Sequence, residues 1–398
     1  MSHEIRTTHV GSLPRPPELI AACKRFEAGE TGFDEMRGLL AGAVDDVVAR
    51  QREIGISIPN DGEFGHSMST ATNYGSWWTY TFDRVSGLEM LAVNFFNEPD
   101  VRSEPGKVRL TGFAHRRDRQ RFPDVYAHDS STSVGEQRPF PAVTGPLAYV
   151  GQQFVKADTD NLNAALDRHG YGAGNGFINA IAPGSAIRLS DRYHKTGDEA
   201  LWAWAEVLRE EYRAVIDAGL GLQFDDPAFA ENWDQINPEP SVEDYLKFTE
   251  RNVEALNWAI RDLPADKLRF HLCHGSWHGP HTTDLDLEHL VGLMFRINTR
   301  YYSFEAANAR HEHEYAIWDH IRLPDDKVIM PGIVGHSTNL IEHPELVAER
   351  ITRFASRVGA DRVVASTDCG LGGRLHPDIA WAKLEALVQG ADLAGKRV

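Results

Sequence analysis

The chain has 398 residues, of which 42% are hydrophobic, and its formal net charge at pH 7 is −17. This length and composition can supply the core of one large α/β barrel or of two ordinary domains, whereas the acidic balance argues against a nucleic acid or an anionic membrane as partner. Three cysteines are too few for a disulfide framework and no apolar run approaches the ~18 residues of a membrane span, so we expect a soluble cytoplasmic protein.

The first part of the chain predicts two strands followed by an irregular region. Residues 5–12 are predicted as the first strand, residues 34–54 carry apolar positions at helical spacing, and residues 56–63 are predicted as a second strand ending at Glu63. From about 64 to 141 the pattern is rich in aromatic and then in charged residues and has no regular repeat. We interpret 64–175 as an elaboration inserted over the C-terminal rim of a barrel; an aromatic cluster that packs on the barrel and binds nothing is an equally compatible reading.

The second half of the chain alternates strictly between strands and helices. We predict its strands at 176–183, 221–226, 268–274, 300–305, 327–335 and 361–367. Such alternation is typical of a parallel sheet with right-handed crossovers. Together with the two earlier strands the count is eight, which predicts one domain over 1–398 with a closed (β/α)8 TIM barrel and the insertion between its second and third strands.

Several of these strands end in residues that can bind a metal. The stretch FHLCHG contains His271 and Cys273, which project to the same face if they lie on a strand. Taken alone an H-x-C pair is a weak signal, although both side chains are good zinc ligands. Later strands end near Glu305 and Cys369, and the C-terminal ends of parallel strands meet at one rim of a barrel. These four side chains can then converge as a tetrahedral set.

Each of these residues also has a simpler interpretation. Glu305 can cap the helix that follows it, and Cys369 can be a buried structural thiol. Three further histidines of the same segment can replace one of the predicted ligands, namely His274, His278 and His281.

Other polar residues at strand ends leave more than one role open. Asp225 and Asp226 can be an acid–base pair, an amine-binding carboxylate or helix caps. His336, after GIVG, can be a general acid or a hydrogen-bonded rim residue. The turn at Gly11 and Ser12 offers backbone N–H groups suited to a carboxylate, although a plain turn is commoner.

The motifs together carry a family resemblance. They read HVGSLPRP, DGEFG, LQFDDPA, HLCHG, FEAANAR, GIVGHSTN and STDCGLGGR, and they span nearly the whole chain. The chain resembles the C-terminal catalytic barrel of cobalamin-independent methionine synthase, and more closely the single-barrel proteins of that family, which include epoxyalkane:coenzyme M transferase.

This resemblance implies a function and a set of site residues. The function is zinc-dependent transfer of a methyl or other alkyl group to the sulfur of a small thiol, with homocysteine and a methylfolate-type donor as first choice, giving methionine. The implied ligands of Zn²⁺ are His271, Cys273, Glu305 and Cys369. Gly11 and Ser12 would hold the carboxylate of the thiol substrate, Glu63 and Asp225 its ammonium, and His336 would protonate the leaving group. The family's acidic pair reads Asp-Glu, whereas this chain has Asp225-Asp226.

Two other functions stay open at this stage. One is the addition of a thiol to an epoxide, as in epoxyalkane:coenzyme M transferase, for which Arg15, Arg310 and Arg374 can hold a sulfonate. The other is a non-catalytic barrel stabilised by zinc, because closed sites with four protein ligands are usually structural. The sequence leaves the oligomeric state open, including a homo-oligomer.

Overall fold

The computed structural model describes residues 3–70, 75–93, 96, 98–127, 139–275 and 277–398. Parts of the predicted 64–175 elaboration lie outside the described residues, namely 71–74, 94–95, 97 and 128–138, and so does Ser276 of the histidine-rich segment.

Within the described residues, helices and strands alternate along most of the chain. The α-helices are α1 (Pro17–Glu27), α2 (Phe33–Ile54), α3 (Ser76–Thr79), α4 (Arg117–Arg121), α5 (Pro123–Ala127), α6 (Gln152–Arg168), α7 (Pro183–Ala186), α8 (Gly197–Asp217), α9 (Ala228–Glu231), α10 (Val242–Ala259), α11 (Leu287–Met294), α12 (Pro344–Val358) and α13 (Pro377–Gly395). The strands are β1 (Val85–Leu91), β2 (Phe140–Tyr149), β3 (Phe177–Ile181), β4 (Ser190–Asp191), β5 (Gly221–Asp225), β6 (Leu268–Leu272), β7 (Tyr301–Phe304), β8 (Val328–Val334) and β9 (Ser366–Thr367). Short 3-10 helices include Glu312–Asp319, between β7 and β8.

A curled parallel sheet forms the centre of the fold. Its strand order is β3-β5-β6-β7-β8-β9, and each neighbouring pair is parallel. Asp225 lies opposite His271, which in turn lies opposite Ser303. Because side chains at matching positions of neighbouring strands project to the same side of a sheet, these three residues form one row across β5, β6 and β7, close to the strands' C-terminal ends.

The two segments predicted as the first strands, 5–12 and 56–63, lie between β9 and β3 but form single bridges. Thr7 pairs with Ala365 and Asn60 pairs with Phe177, both in parallel. Side-chain hydroxyl groups take part of the hydrogen bonding that a ladder would use: the Thr7 amide donates to Ser57 Oγ, and the Ser57 amide lies 3.1 Å from both the Thr7 carbonyl oxygen and Thr7 Oγ1. This substitution of side chain for backbone explains why the predicted strands are shorter in the structure.

Helices pack around the outside of the parallel sheet. α6 contacts both α2 and α8, α8 contacts α10, and α12 contacts α13. Among the described residues, no helix combines the length with the apolar composition that crossing a membrane would require.

Two strands of the described part of 64–175, β1 and β2, form a second, smaller sheet together with β4 (Ser190–Asp191). Its strand order is β1-β2-β4, with β1 antiparallel to β2. Aromatic rings pack against one another beside it: the ring centroids of Phe96 and Phe140 are 4.8 Å apart and those of Phe82 and Phe140 are 5.4 Å apart, in both cases edge to face. These rings therefore form an internally packed cluster.

Candidate metal centre

Three residues that are far apart in sequence meet at the C-terminal edge of the parallel sheet. His271 is the fourth residue of β6, Cys273 follows the end of that strand, and Cys369 follows β9. One ligating atom of each lies within 4.8 Å of the other two, and the two sulfur atoms are 3.8 Å apart. All three side chains are buried.

One ring nitrogen of His271 is open, meaning that it has no hydrogen-bond partner among the described residues. Its Nδ1 lies 3.1 Å from Ser303 Oγ, whereas its buried Nε2 has no hydrogen-bond partner among the described residues. A metal-binding histidine commonly uses one ring nitrogen as ligand while the other is oriented by a hydrogen bond. The open Nε2 is therefore what a metal ligand at this position requires.

The two cysteines are free thiols. The hydrogen bond with Cys273 lowers the pKa of Cys369 well below its usual value, against the effect of burial, and the charge of Arg374 lowers it further. The Gly275 amide donates to Cys273 Sγ over 3.3 Å. Since the thiolate is the form that binds metal, two neighbouring thiols and an open imidazole nitrogen provide a donor set that fits zinc.

Glu305, the fourth ligand implied by the family resemblance, belongs to a neighbouring group. One of its carboxylate oxygens lies within 4.8 Å of ligating atoms of His336 and Asp368. Oε1 accepts a hydrogen bond from the His274 amide (3.2 Å) and Oε2 from Asn308 Nδ2 (2.8 Å). Burial raises the pKa of Glu305 to about 8, and the charge of Asp368 adds to this effect.

His336 is buried beside the carboxyl groups of Glu305 and Asp368. Its Nδ1 has no hydrogen-bond partner in the part of the chain that the structure describes. Burial lowers its pKa to about 3. The imidazole is therefore neutral at physiological pH in the free protein.

The carboxyl groups of Asp225 and Glu63 are both buried and lie close enough to interact. Asp225 accepts hydrogen bonds from Asn179 Nδ2 and Gln223 Nε2, each over 2.9 Å. Burial raises the pKa of Asp225. Burial also raises the pKa of Glu63 well above its usual value, and the charge of Asp225 raises it further. This pair would gain stability from a bound cation.

Gly11 brings the first loop close to these carboxyl groups. A Cβ atom at this position would lie 2.3 Å from Glu63 Oε1 and 2.5 Å from Asn179 Nδ2, and its φ of +149° favours glycine. The next residue, Ser12, accepts hydrogen bonds through its carbonyl oxygen from the amides of Leu371 and Gly372, both over 2.9 Å. The first loop is thus tied to the loop that carries Cys369.

The adjacent acids Asp225 and Asp226 separate in the structure. Asp226 accepts a hydrogen bond from Ser185 Oγ over 2.6 Å, whereas Asp225 contacts Asn179 and Gln223. Their separation follows from the alternation of side chains at the end of a strand.

Sequence reasoning missed Asn179 and Ser303, which contact predicted site residues. Asn179 interrupts the apolar stretch of β3 and is fully buried there. A buried amide in an otherwise apolar strand needs polar partners, so this position was a detectable signal. Ser303 gave no comparable signal, because serine in a strand is common.

The fold and this cluster define an α/β protein that carries a two-cysteine, one-histidine donor set at the C-terminal edge of a curled parallel sheet. No protein-family profile matches the chain. It is 22% identical over 388 residues to the methionine synthase of Saccharolobus islandicus (strain Y.N.15.51 / Yellowstone #2), covering 96% of this chain and 93% of that protein. It is 21% identical over 394 residues to the methionine synthase of Thermococcus kodakarensis, covering 98% and 94%.

A solved structure of a methionine synthase has a similar fold. The B12-independent methionine synthase from Shewanella sp. W3-18-1, in complex with selenomethionine, superposes with a TM-score of 0.70 at 20% identity, covering 99% of this chain and 98% of that one. These similarities confirm the resemblance, predicted from the motifs, to the family of cobalamin-independent methionine synthase C-terminal domains.

Proposed function

We propose that this protein is a zinc-dependent enzyme that transfers a methyl group from a methylfolate-type donor to homocysteine, giving methionine. The observation that carries the proposal is the convergence of His271, Cys273 and Cys369, with one open imidazole nitrogen, beside a pair of buried carboxyl groups. Its relatives are named methionine synthase, which supports methionine as the product. We interpret the six-stranded sheet and the two bridged segments as one closed (β/α)8 barrel, with this site at the rim where barrel enzymes place their chemistry.

His271, Cys273 and Cys369 would hold the zinc, and we propose Glu305 as the fourth ligand. When bound, zinc supplies a Lewis acid that keeps a substrate thiol, with an ordinary pKa of about 8.5, in its nucleophilic thiolate form near neutral pH. Ser303 orients His271 through its hydrogen bond to Nδ1.

Glu63 and Asp225 would bind the ammonium of homocysteine. Two interacting buried carboxylates repel each other, and an ammonium between them would add to the positive charges of Arg15 and Arg374 that already act on Glu63. The turn at Gly11 and Ser12 would hold the substrate carboxylate through backbone N–H groups and the serine hydroxyl. Asp225 would therefore orient the thiol for attack.

His336 would deliver a proton to the leaving nitrogen of the donor. Its neutral ring must first take up a proton, and against the effect of burial the charge of Cys369 favours that uptake. The open Nδ1 leaves the ring free to hydrogen-bond to a ligand.

One of the three arginines considered for holding a sulfonate thiol is engaged elsewhere. Arg15, a candidate for holding a sulfonate, donates instead to the backbone carbonyl oxygens of Glu63 and His66. Its guanidinium group thus supports the loop that carries Glu63.

A mass-spectrometric screen of the zinc-loaded protein would test the proposal. Homocysteine, its des-amino analogue 4-mercaptobutyrate and coenzyme M would be crossed with methyltetrahydrofolate, methylcobalamin and an epoxide. We expect methionine from homocysteine with a methylfolate. Formation of only a thiol–epoxide adduct would overturn it in favour of the alternative, and no product with any pair would favour a non-catalytic zinc protein.

Metal content would be measured in the same preparations. We expect Cys369→Ser to lose both zinc and activity. Cys23→Ser, which changes a buried cysteine in α1, is the matched control and should keep both. Full zinc occupancy in Cys369→Ser would remove this residue from the ligand set.

A further inference from the structure

A second cluster of metal-binding side chains surrounds the carboxylate of Asp284. Its Oδ2 lies 3.1 Å from His281 Nδ1, 3.2 Å from His311 Nε2 and 3.9 Å from His274 Nδ1. The ligating atoms of His274, Asp284 and His311 all lie within 4.8 Å of one another. None of these residues belongs to the proposed zinc set.

Two histidines of this cluster each carry a proton on the ring nitrogen that faces away from Asp284. His281 Nε2 lies 3.1 Å from the Trp277 carbonyl oxygen, which can only accept, so Nε2 carries a hydrogen. His311 Nδ1 likewise lies 3.0 Å from Glu314 Oε2, a carboxylate oxygen, and donates to it. The other nitrogen of each ring therefore faces Asp284. Against the effect of burial, the hydrogen bond with Asp284 raises the pKa of His281 to about 9 and that of His311 to about 10. Both rings are thus protonated in the metal-free protein and donate to this carboxylate, and a metal ion bound here would take the place of these two protons.

His274 contributes a buried ring nitrogen that lacks a hydrogen-bond partner. Its side chain is 3% exposed, and its Nδ1 has no hydrogen-bond partner among the described residues. The ring stacks on His311 with centroids 4.0 Å apart and an interplanar angle of 21°. This unpartnered nitrogen lies in the same cluster as the ligating atoms of Asp284 and His311.

We propose that His274, Asp284 and His311 bind a second divalent transition-metal ion, with zinc the best chemical match and with His281, whose Nδ1 lies 3.1 Å from Asp284 Oδ2, as the fourth ligand. In a tetrahedral site with metal–ligand distances of about 2.0 Å, neighbouring ligand atoms are about 3.3 Å apart. The separations from Asp284 Oδ2 given above, from 3.1 to 3.9 Å, are close to this value. The hydrogen bonds from the far nitrogens of His281 and His311 are the outer contacts that orient metal-binding imidazoles.

The second ion would join two loops beside the first site. His274, His281 and Asp284 follow β6, beginning one residue after Cys273, and His311 follows β7. A closed site with four protein ligands is structural in character. The ion would therefore hold in place the segment that leads away from a ligand of the first metal, and the inference does not depend on methyl transfer.

Cobalt(II) titration of the chelator-stripped full chain, followed by optical spectroscopy and metal analysis, would test the proposal. Cobalt bound by thiolate gives an intense sulfur-to-metal charge-transfer absorption, whereas a nitrogen–oxygen site gives only weak ligand-field bands. We expect the wild type to bind two equivalents, one of each kind. The Cys273→Ser/Cys369→Ser variant should bind one equivalent without charge transfer, and Asp284→Asn one equivalent with it.

The matched control is His289→Asn, which changes an exposed histidine on α11 and should still bind two equivalents. A single equivalent in the wild type, no cobalt in the double cysteine variant, or two equivalents in Asp284→Asn would each overturn the proposal. Should Asp284→Asn fail to fold, as judged by circular dichroism, the wild-type stoichiometry and the double cysteine variant still decide the question.

Discussion

Replacing Asp225 by asparagine tests the proposed ammonium site most directly. The two oxygens of this carboxylate accept hydrogen bonds from Asn179 Nδ2 and Gln223 Nε2. An asparagine has nearly the same shape, but its amide nitrogen would face one of these two donors, and the negative charge would be lost. We therefore expect the substitution to weaken binding of an ammonium while leaving the thiol and carboxylate contacts in place.

The size of the effect follows from the burial of the group. Truncating one partner of a buried, hydrogen-bonded charge pair costs about 2–5 kcal/mol. Because Glu63 remains as a second carboxylate, we expect the lower part of this range, about 2–3 kcal/mol, which corresponds to a factor of about 30 to 150.

The assay compares two substrates that differ only in the amine. kcat/KM would be measured for homocysteine and for 4-mercaptobutyrate with wild type and with Asp225→Asn. We expect the preference for homocysteine to fall by about 30- to 150-fold in the variant. A ratio is insensitive to the fraction of folded enzyme, because both substrates report on the same preparation.

Asp226→Asn is the matched control, since the neighbouring carboxylate accepts from Ser185 rather than from Asn179. Its substrate preference should equal that of the wild type. An unchanged preference in Asp225→Asn, or an equal loss in Asp226→Asn, would refute the assignment of Asp225 to the substrate ammonium.

Three further predictions concern residues around the site. Ser303→Ala removes the hydroxyl group that orients the metal-binding imidazole and should weaken zinc affinity about 10- to 100-fold in a competition titration with a chelator; unchanged affinity would contradict this. Gly11→Ala places a Cβ against Glu63 and should lower the free energy of unfolding by about 1–3 kcal/mol in denaturant, whereas Gly29→Ala, which has a φ of +70° but open space around it, serves as control and should show a smaller loss. His336→Asn should keep its zinc and lose about 10²- to 10⁴-fold in kcat; wild-type turnover would assign the proton transfer to another group.

Most strands of the second half were predictable because each is a short apolar run bounded by turns and helices; the strand predicted at 361–367 is the exception, since it is reduced to Ser366–Thr367 after a 3-10 helix over Ala360–Arg362. The predicted strand at 268–274 is observed as Leu268–Leu272, and that at 327–335 as Val328–Val334. The segments at 5–12 and 56–63 have the composition of strands, but Thr7 and Ser57 hydrogen-bond through their hydroxyl groups, which a pattern of apolar residues does not reveal.

The composition of the site was less predictable than the position of its strands. Strand ends show which residues reach the rim, but not how the polar groups there divide into clusters. Glu305 hydrogen-bonds to Asn308 and lies with His336 and Asp368, a grouping set by loop backbone conformation rather than by residue spacing. From the sequence, His274 and His281 could be predicted only as substitutes for another ligand. Their common neighbour is Asp284, and this contact depends on how the loop folds.

The hydrogen bonds from the loop after β9 to Ser12 determine when the site can form during synthesis of the chain. The sulfur atoms of Cys273 and Cys369 belong to residues separated by 96 positions, which a ribosome adding about 5–20 residues per second translates over roughly 5 to 20 seconds. During this interval the earlier thiol is already synthesised while its partner is missing, and the segment near Ser12 still lacks the backbone donors of Leu371 and Gly372. Metal capture at the Cys273–Cys369 pair would therefore follow synthesis of residue 369, and a nascent chain stalled before that residue should retain no tightly held zinc there.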